Sequence, residues 1–313
     1  MRINERAAAD SLLGTALGDS LGLPYEGLGP ERAQKLMPFP LRQRLIGRTG
    51  CLSDDTVQSA IALQALIQNL DSPDKFQRDF GRRLRLWFLT GPPGIGLATI
   101  KACSRLTVGV ASSKSGVNSA GNGAAMRSAV LGAALSKEPE LREHFVTACC
   151  RVTHTHPLAI QGAQLIALAA ALAAEGQQHK FEAESRKVAI DWPWGEMWTG
   201  RGPTGYVVPS VNAALHIWSS NAADLDEAIS KAVELGGDTD TVAAMVGGIA
   251  GAAGARHYPA HWQRYIGWPQ PDEIRLLSSG KLIKTPGIRM AATHLLALPP
   301  ILTFGLRRIF PPY

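Results

Sequence analysis

The chain is poor in the residues that build sheets and staple small folds. Aromatic side chains make up only 6% of its 313 residues, and there are four cysteines. Strands favour β-branched and aromatic residues, and no alternating run long enough for a strand occurs. Cys51, Cys103, Cys149 and Cys150 form no C-x-x-C and no metal-ligand spacing, and adjacent cysteines seldom pair. That excludes a disulfide scaffold or a zinc ribbon and fits reduced thiols in a cytosol. The N-terminus, Met1-Arg-Ile-Asn-Glu-Arg, lacks a signal-peptide apolar core. The longest apolar run, Val242–Ala255, falls short of the ~20 residues a membrane span needs. A cytoplasmic protein with no membrane partner is therefore expected. There is no internal repeat, low-complexity stretch or linker.

What the chain does have is alanine, with 45% hydrophobic residues overall and runs such as Leu165–Ala174. Alanine-rich apolar stripes suit close helix packing. Helical spacing predicts helices over 7–23 (ending at Pro24), 54–70, from the Ser72 cap to about Thr90, and over 124–136, 139–153, 157–175 and 179–191. Further helices are predicted at Pro209–Ser219, Leu225–Leu235 and Asp240–Arg256, with loops at 27–50, 112–123 and 191–208. The expected fold is all-α, a single compact multi-helix domain over 1–260. Residues 261–313, where the pattern weakens into an apolar, basic, proline-rich tail, form a C-terminal extension packed on it.

The net charge of +6 favours anionic partners. The basic residues are scattered, with short clusters at Arg82–Arg83 and Arg307–Arg308 and no aromatic-interleaved stripe. A small phosphorylated ligand fits that pattern better than nucleic acid does.

Two acidic segments stand before strongly helical runs: Ser53-Asp54-Asp55-Thr56 and Gly237-Asp238-Thr239-Asp240-Thr241. Each taken singly is well explained as a helix cap, because Ser, Thr and Asp dominate cap positions and carboxylates offset the dipole. However, each crowds two carboxylates into three or fewer residues, where like charges repel unless a cation lies between them. The adjacent hydroxyls add the oxygen donors that hard cations prefer. With no Cys or His in either cluster, the chemistry points to Mg²⁺ or Mn²⁺ and away from zinc. Two such cations could polarise a substrate oxygen and lower the pKa of a water.

Five blocks, in order, resemble the ADP-ribosylglycohydrolase family, whose founding type reactivates ADP-ribosylated dinitrogenase reductase. They are Gly14-Thr-Ala-Leu-Gly-Asp-Ser-Leu-Gly-Leu-Pro-Tyr-Glu26, Ser53-Asp-Asp-Thr56, Gly121-Asn-Gly-Ala-Ala-Met-Arg127, Thr153-His-Thr-His-Pro157 and Gly236-Gly-Asp-Thr-Asp-Thr241. They span roughly residues 7–255. The resemblance implies an all-α hydrolase with two Mg²⁺ or Mn²⁺ ions that cleaves the bond at the anomeric carbon of ADP-ribose. It assigns Ser53, Asp54, Asp55 and Asp240 to one ion and Asp238, Asp240, Thr241 and Glu26 to the other, with Asp240 bridging. Ser53 stands where the family more often has threonine. Glu26 and Asp55 compete for the role of general base.

The glycine block suggests a cradle in which Gly121, Gly123 and their neighbours offer backbone N–H groups to a diphosphate, aided by Ser119 and Asn122. By resemblance His154 contacts the ligand without binding metal, and His156 is a supporting or surface residue. Arg127 reads equally as a structural ion pair or a phosphate contact. Trp192, Trp194, Trp198 and Tyr206 offer either an adenine-facing surface or core packing. The partner implied is an ADP-ribosylated macromolecule, a protein in the first instance or a nucleic acid, with ADP-ribose as product. The rivals are a non-catalytic ADP-ribose or nucleotide-binding module on the same fold, a structural protein of the lens-crystallin kind, and a metal-dependent phosphohydrolase.

Overall fold

Glycines set the tightest contact in the molecule. Gly14, Gly18 and Gly22 are four residues apart along the first helix and face a later helix across almost no space. A Cβ at Gly14 would lie 2.0 Å from the Gly247 carbonyl oxygen, one at Gly18 2.0 Å from that of Ala243, and one at Gly22 2.6 Å from Asp240 Cα. Only residues without side chains let two backbones approach this closely.

The computed structural model describes residues 3–36, 39–221, 224–254, 257–285 and 287–306. Its helices are α1 (Glu5–Gly22), α2 (Pro30–Leu36), α3 (Asp54–Gln68), α4 (Pro73–Phe88), α5 (Leu97–Thr107), α6 (Ala129–Ala134) and α7 (Pro139–Arg151). They continue with α8 (Pro157–Ala174), α9 (Phe181–Val188), α10 (Val207–Asn221), α11 (Leu225–Glu234), α12 (Thr239–Ala252), α13 (Pro271–Leu277) and α14 (Gly287–Leu306). Two-residue strands β1 (Gly50–Cys51) and β2 (Tyr265–Ile266) pair in parallel. The all-α expectation holds. α1, α8 and α12 are buried nearly all round and form the centre, and the other helices pack on them with one apolar face each.

Most predicted helices are present with ends shifted by a few residues, and the larger differences have local causes. The supposed loop 27–50 contains α2, which opens on Pro30 and has Glu31 in its first turn and Lys35 in its last. The stretch predicted helical from 124 begins instead as a 3₁₀ turn, Asn122–Ala124, and becomes α-helical only at Ala129. α12 stops at Ala252, before the predicted Arg256, because Gly254 takes a positive φ of 80°; residues 255–256 lie outside the described residues.

The tail holds the main departure. Gly287–Leu306 is a 20-residue helix despite Pro299 and Pro300. These prolines leave the carbonyls of Leu295 and Leu296 without helical donors, but both residues are exposed and water can satisfy them. α14 and the mostly buried α8 are the two helices, among the described residues, long and apolar enough to cross a membrane. The basic pair Arg307–Arg308 lies outside the described residues.

Candidate active site

Three segments remote in sequence meet at the N-terminal ends of α3 and α12. The Gly27 N–H donates to the Gly237 carbonyl at 2.6 Å and the Gly237 N–H to that of Leu28 at 2.9 Å. This staple brings Glu26 beside Asp238. It requires the positive φ of Gly237 (73°), where a Cβ would also strike the Pro203 carbonyl oxygen at 2.1 Å. The contact of Gly22 with Asp240 fixes the start of α12 against the end of α1.

α3 is held from beneath by Asp19 of α1. Its carboxylate accepts from the Ser53 N–H at 3.0 Å, from the Thr56 N–H at 3.2 Å and from the Thr56 hydroxyl. Because Asp19 takes up these N–H groups from below, Asp54 and Asp55 are not needed as caps. Ser53 Oγ caps α3 by accepting from the Asp55 N–H at 3.1 Å, and donates to Asp55 Oδ2 at 3.0 Å.

The result is a pocket of about 310 Å³ with two unlike walls. Glu26, Asp54, Asp55, Asp238, Asp240 and Thr241 form the acidic wall, and Ser119, Gly121, Asn122, Gly123 and His154 contribute to the other. Ser53 faces an adjoining smaller cavity shared with Glu26, Asp54 and Asp240, which His294, Ala297 and Ile301 of α14 close off. A larger cavity of about 550 Å³ lies along α4, but its lining has one carboxylate, Asp74, and no histidine or thiol. Size does not mark the site here; the concentration of titratable groups does.

Burial raises the carboxyl pKa values of Asp19, Asp54, Asp55 and Asp240. Asp19 is pushed up to about 6 by desolvation, partly offset by its hydrogen bonds. Asp54 reaches about 7 through desolvation and the nearby charges of Asp19, Glu26 and Asp238. Asp55 and Asp240 are raised well above the ordinary range, by desolvation first and neighbouring carboxylates second. Asp55 Oδ1 and Asp240 Oδ1 are buried with no hydrogen-bond partner. Among the described residues no three His, Cys, Asp or Glu groups close into a cage around one point. The donors lie along one wall of the pocket. Orphaned carboxylate oxygens beside the Ser53 and Thr241 hydroxyls fit a hard cation chemically.

A family profile described as ADP-ribosylglycohydrolase matches residues 2–285. The chain belongs to the ADP-ribosylglycohydrolase family. That places it among hydrolases. Similar proteins include an uncharacterized protein of Archaeoglobus fulgidus, 31% identical over 82% of this chain and 90% of its own length. The ADP-ribosyl-[dinitrogen reductase] glycohydrolase of Rhodospirillum rubrum is 25% identical over 87% of this chain and 94% of its own. A solved structure titled ADP-ribosylglycohydrolase-related protein complex superposes with a TM-score of 0.65 at 27% identity, covering 88% of this chain and 97% of the other.

Seen as an ADP-ribosylglycohydrolase fold, the second wall departs from the sequence reading in several places. The N–H groups of Gly121 and Asn122 donate within the protein, to Ser119 Oγ at 3.3 Å and to the Gly205 carbonyl at 2.9 Å. The glycines also make room: a Cβ at Gly123 would press on His154 Cε1 at 3.0 Å. Asn122 Nδ2 donates to Asp238 Oδ2 at 2.7 Å and so orients that carboxylate. His154 is buried and held neutral, its pKa lowered to about 3 by desolvation and by the Arg127 charge. Its Nδ1 lies 2.8 Å from the Thr153 hydroxyl.

Arg127 is neither an ion pair nor a phosphate contact. It is fully buried, bonded to Gln58 Oε1 (2.7 Å), the Gly123 and Cys149 carbonyls (2.8 and 3.1 Å) and Thr153 Oγ1 (2.6 Å), with its guanidinium over the Phe80 ring. It therefore ties the glycine turn to the start of the His154 segment. His156 caps α8 through Nδ1, accepting from the Leu158 N–H at 3.2 Å. Trp192 is core, donating to Asn212 Oδ1 at 2.8 Å, and no tryptophan lines the acidic pocket.

Sequence reasoning missed two contributors. Asp19 carried a signal: an acid inside the small and apolar run Leu17-Gly-Asp-Ser-Leu21 of a helix predicted to be buried. α14 carried none, because its contact with the site arises only when the tail folds back.

Proposed function

We propose that this chain hydrolyses the glycosidic bond at the anomeric carbon of ADP-ribose, releasing ADP-ribose from a modified macromolecule, with two Mg²⁺ or Mn²⁺ ions as cofactors. The observation that carries the reading is the buried acidic wall with two unpartnered carboxylate oxygens, opposite a neutral histidine and a glycine turn in one pocket. The relatives named for glycohydrolase activity support the substrate class. Ser53, Asp54, Asp55, Asp238, Asp240 and Thr241 would hold the ions, with Glu26 shared between binding and catalysis. When bound, the ions supply Lewis acidity toward ribose oxygens and lower the pKa of a water.

The protein groups have distinct tasks. Glu26, half-buried and lining both cavities, takes the proton from the attacking water. Asp55 is the competing candidate: its Oδ1 is unpartnered, while its Oδ2 accepts from Ser53 and, at 3.5 Å, from Thr241. As water attacks, the bond from the anomeric carbon to the acceptor atom breaks; its electron pair leaves with the acceptor atom, which takes up the proton that Glu26 received from the water. The carboxylates stabilise the positive charge that grows on the ribose. Arg127 donates to Thr153 Oγ1, whose hydroxyl lies 2.8 Å from His154 Nδ1; with that hydroxyl donating to Nδ1, the neutral ring carries its one proton on Nε2, where it can donate to a ligand oxygen.

The test is incubation with arginine-, serine- and threonine-linked ADP-ribose, and with ADP-ribosylated nucleic acid, followed by chromatography of the products. Free ADP-ribose in Mg²⁺ or Mn²⁺, lost in EDTA, is the expected result. Turnover that persists in EDTA, or in Asp238→Ala with Asp240→Ala, would overturn the metal assignment. AMP as product would mark a phosphohydrolase, and tight ADP-ribose binding without turnover on any linkage would mark a binding module.

A further inference from the structure

The last forty residues differ from everything before them in charge. After Glu273 the chain contains no Asp or Glu but six basic residues: Arg275, Lys281, Lys284, Arg289, Arg307 and Arg308. The chain's net charge is +6 from 32 Lys+Arg and 26 Asp+Glu, so the other 26 basic residues balance the 26 acids. The whole excess charge belongs to this segment. The family match ends at residue 285, before α14 begins.

α14 also fails to behave as an ordinary surface helix. One narrow stripe faces the protein: Met290 and Ala297 are buried, and His294 Nδ1 lies 3.1 Å from the Thr90 hydroxyl. The opposite stripe, where charged residues are expected, is Ile288, Leu295, Leu302 and Leu306, spaced seven, seven and four residues apart on one line of the helix. These are 90%, 71%, 57% and 52% exposed, and Leu296 beside them is 68% exposed. A continuous apolar stripe facing water marks an interaction surface.

We infer that α14 lies in the headgroup region of an anionic lipid bilayer, its outer stripe buried in the acyl boundary and its flanking Lys and Arg residues on acidic headgroups. An interfacial helix of this kind joins an apolar face to basic flanks and gains affinity from both. A second copy of the chain is a poor occupant. The same segment of a second copy has no Asp or Glu after Glu273 to meet Lys281, Lys284 and Arg289. A transmembrane span is also disfavoured, because leaving the surface would strip His294 from Thr90 and remove the wall that His294, Ala297 and Ile301 give the cavity beside Glu26. The inference does not depend on which reaction the pocket performs.

The full-length protein is floated with liposomes of phosphatidylcholine alone and of phosphatidylcholine mixed with phosphatidylglycerol. Binding to the mixed liposomes, weakened by salt and reversed by an alkaline wash, is expected. Leu295→Asp with Leu302→Asp should cut the partition coefficient about tenfold or more with an unchanged melting temperature, since both side chains are exposed. Should that pair fail to fold, Arg307→Gln with Arg308→Gln alters charge alone and should lower binding to the mixed liposomes only. Absence of binding to either liposome overturns the inference, and so does binding indifferent to these variants. Resistance to the alkaline wash would show a span, and a dimer dissolved by Leu295→Asp and Leu302→Asp would show that a second copy is the occupant.

Discussion

Asp224 and Asp238 occupy the same local position, the N-cap of a helix, and serve different ends. Asp224 accepts from the N–H groups of Asp226 at 2.9 Å and Glu227 at 3.1 Å, closing the first turn of α11. Asp238 makes no such bond; its carboxylate turns sideways to Asn122 and lies on the acidic wall. An N-cap aspartate is thus ambiguous until the structure shows where its oxygens point. α12 can forgo a carboxylate cap because tertiary contacts hold its first turn: Gly22 packs on Asp240, and the Thr239 hydroxyl donates to the Gly22 carbonyl at 2.9 Å.

The sharpest way to break this comparison is to remove the carboxylate and read activity. Asp238→Ala should lower kcat/KM by about 10²–10³ or more in a glycohydrolase assay, while melting stays near or above wild type because one repelling charge leaves the cluster. EDTA should do the same to the intact protein. Full activity of the variant would exclude Asp238 from the chemistry, and full activity in EDTA would exclude the metal.

Next come the residues that aim the cluster without joining it. Asn122→Ala and Asp19→Asn should each weaken activity by about 10–100-fold. Raising Mg²⁺ or Mn²⁺ should recover part of the loss, which a purely structural defect would not permit. A metal titration of each variant is the measurement.

The buried carboxyls of Asp19 and Asp54 also set a pH dependence of stability. Carboxyls whose folded pKa exceeds the ordinary 3.8 contribute stability below that value, and they lose it as pH rises through about 6 for Asp19 and about 7 for Asp54. His154, lowered to about 3, pulls the other way but is a single group against several. EDTA-treated protein should therefore melt higher at about pH 5 than at about pH 8, and added Mg²⁺ should narrow the gap by favouring the charged forms. Scanning calorimetry at the two pH values would reveal a reversed order.

The smallest effect belongs to the ordinary cap. Asp224→Ala should cost about 1 kcal/mol of stability with activity unchanged, as denaturant unfolding and the same assay would report.

The legibility of the site followed local patterning. Asp54, Asp55, Asp238 and Asp240 could be suspected because crowded carboxylates are costly on an ordinary surface. Asn122 and His154 lie within a recognisable block, but what each touches was not readable: the Asn122 side chain donates to Asp238, and the His154 ring lies against Thr153. Arg127 shows why. Its partners come from four stretches of chain, and nothing near it in sequence hinted at uncharged ones. α14 escaped for a different reason: Pro299 and Pro300 interrupt the helical pattern of its apolar stretch Leu295–Leu302.

By itself the sequence determined that the chain would be helical, where most helices begin, and that two of those beginnings concentrate negative charge. Helix propensity, capping and charge crowding act over a few residues and are written locally. Only the tertiary structure decided that these beginnings face one cavity, that Asp19 supports one of them from below, and that α14 leaves an apolar stripe in water. Those outcomes depend on how closely two backbones can approach and which groups lose water together, and both are properties of surfaces in contact.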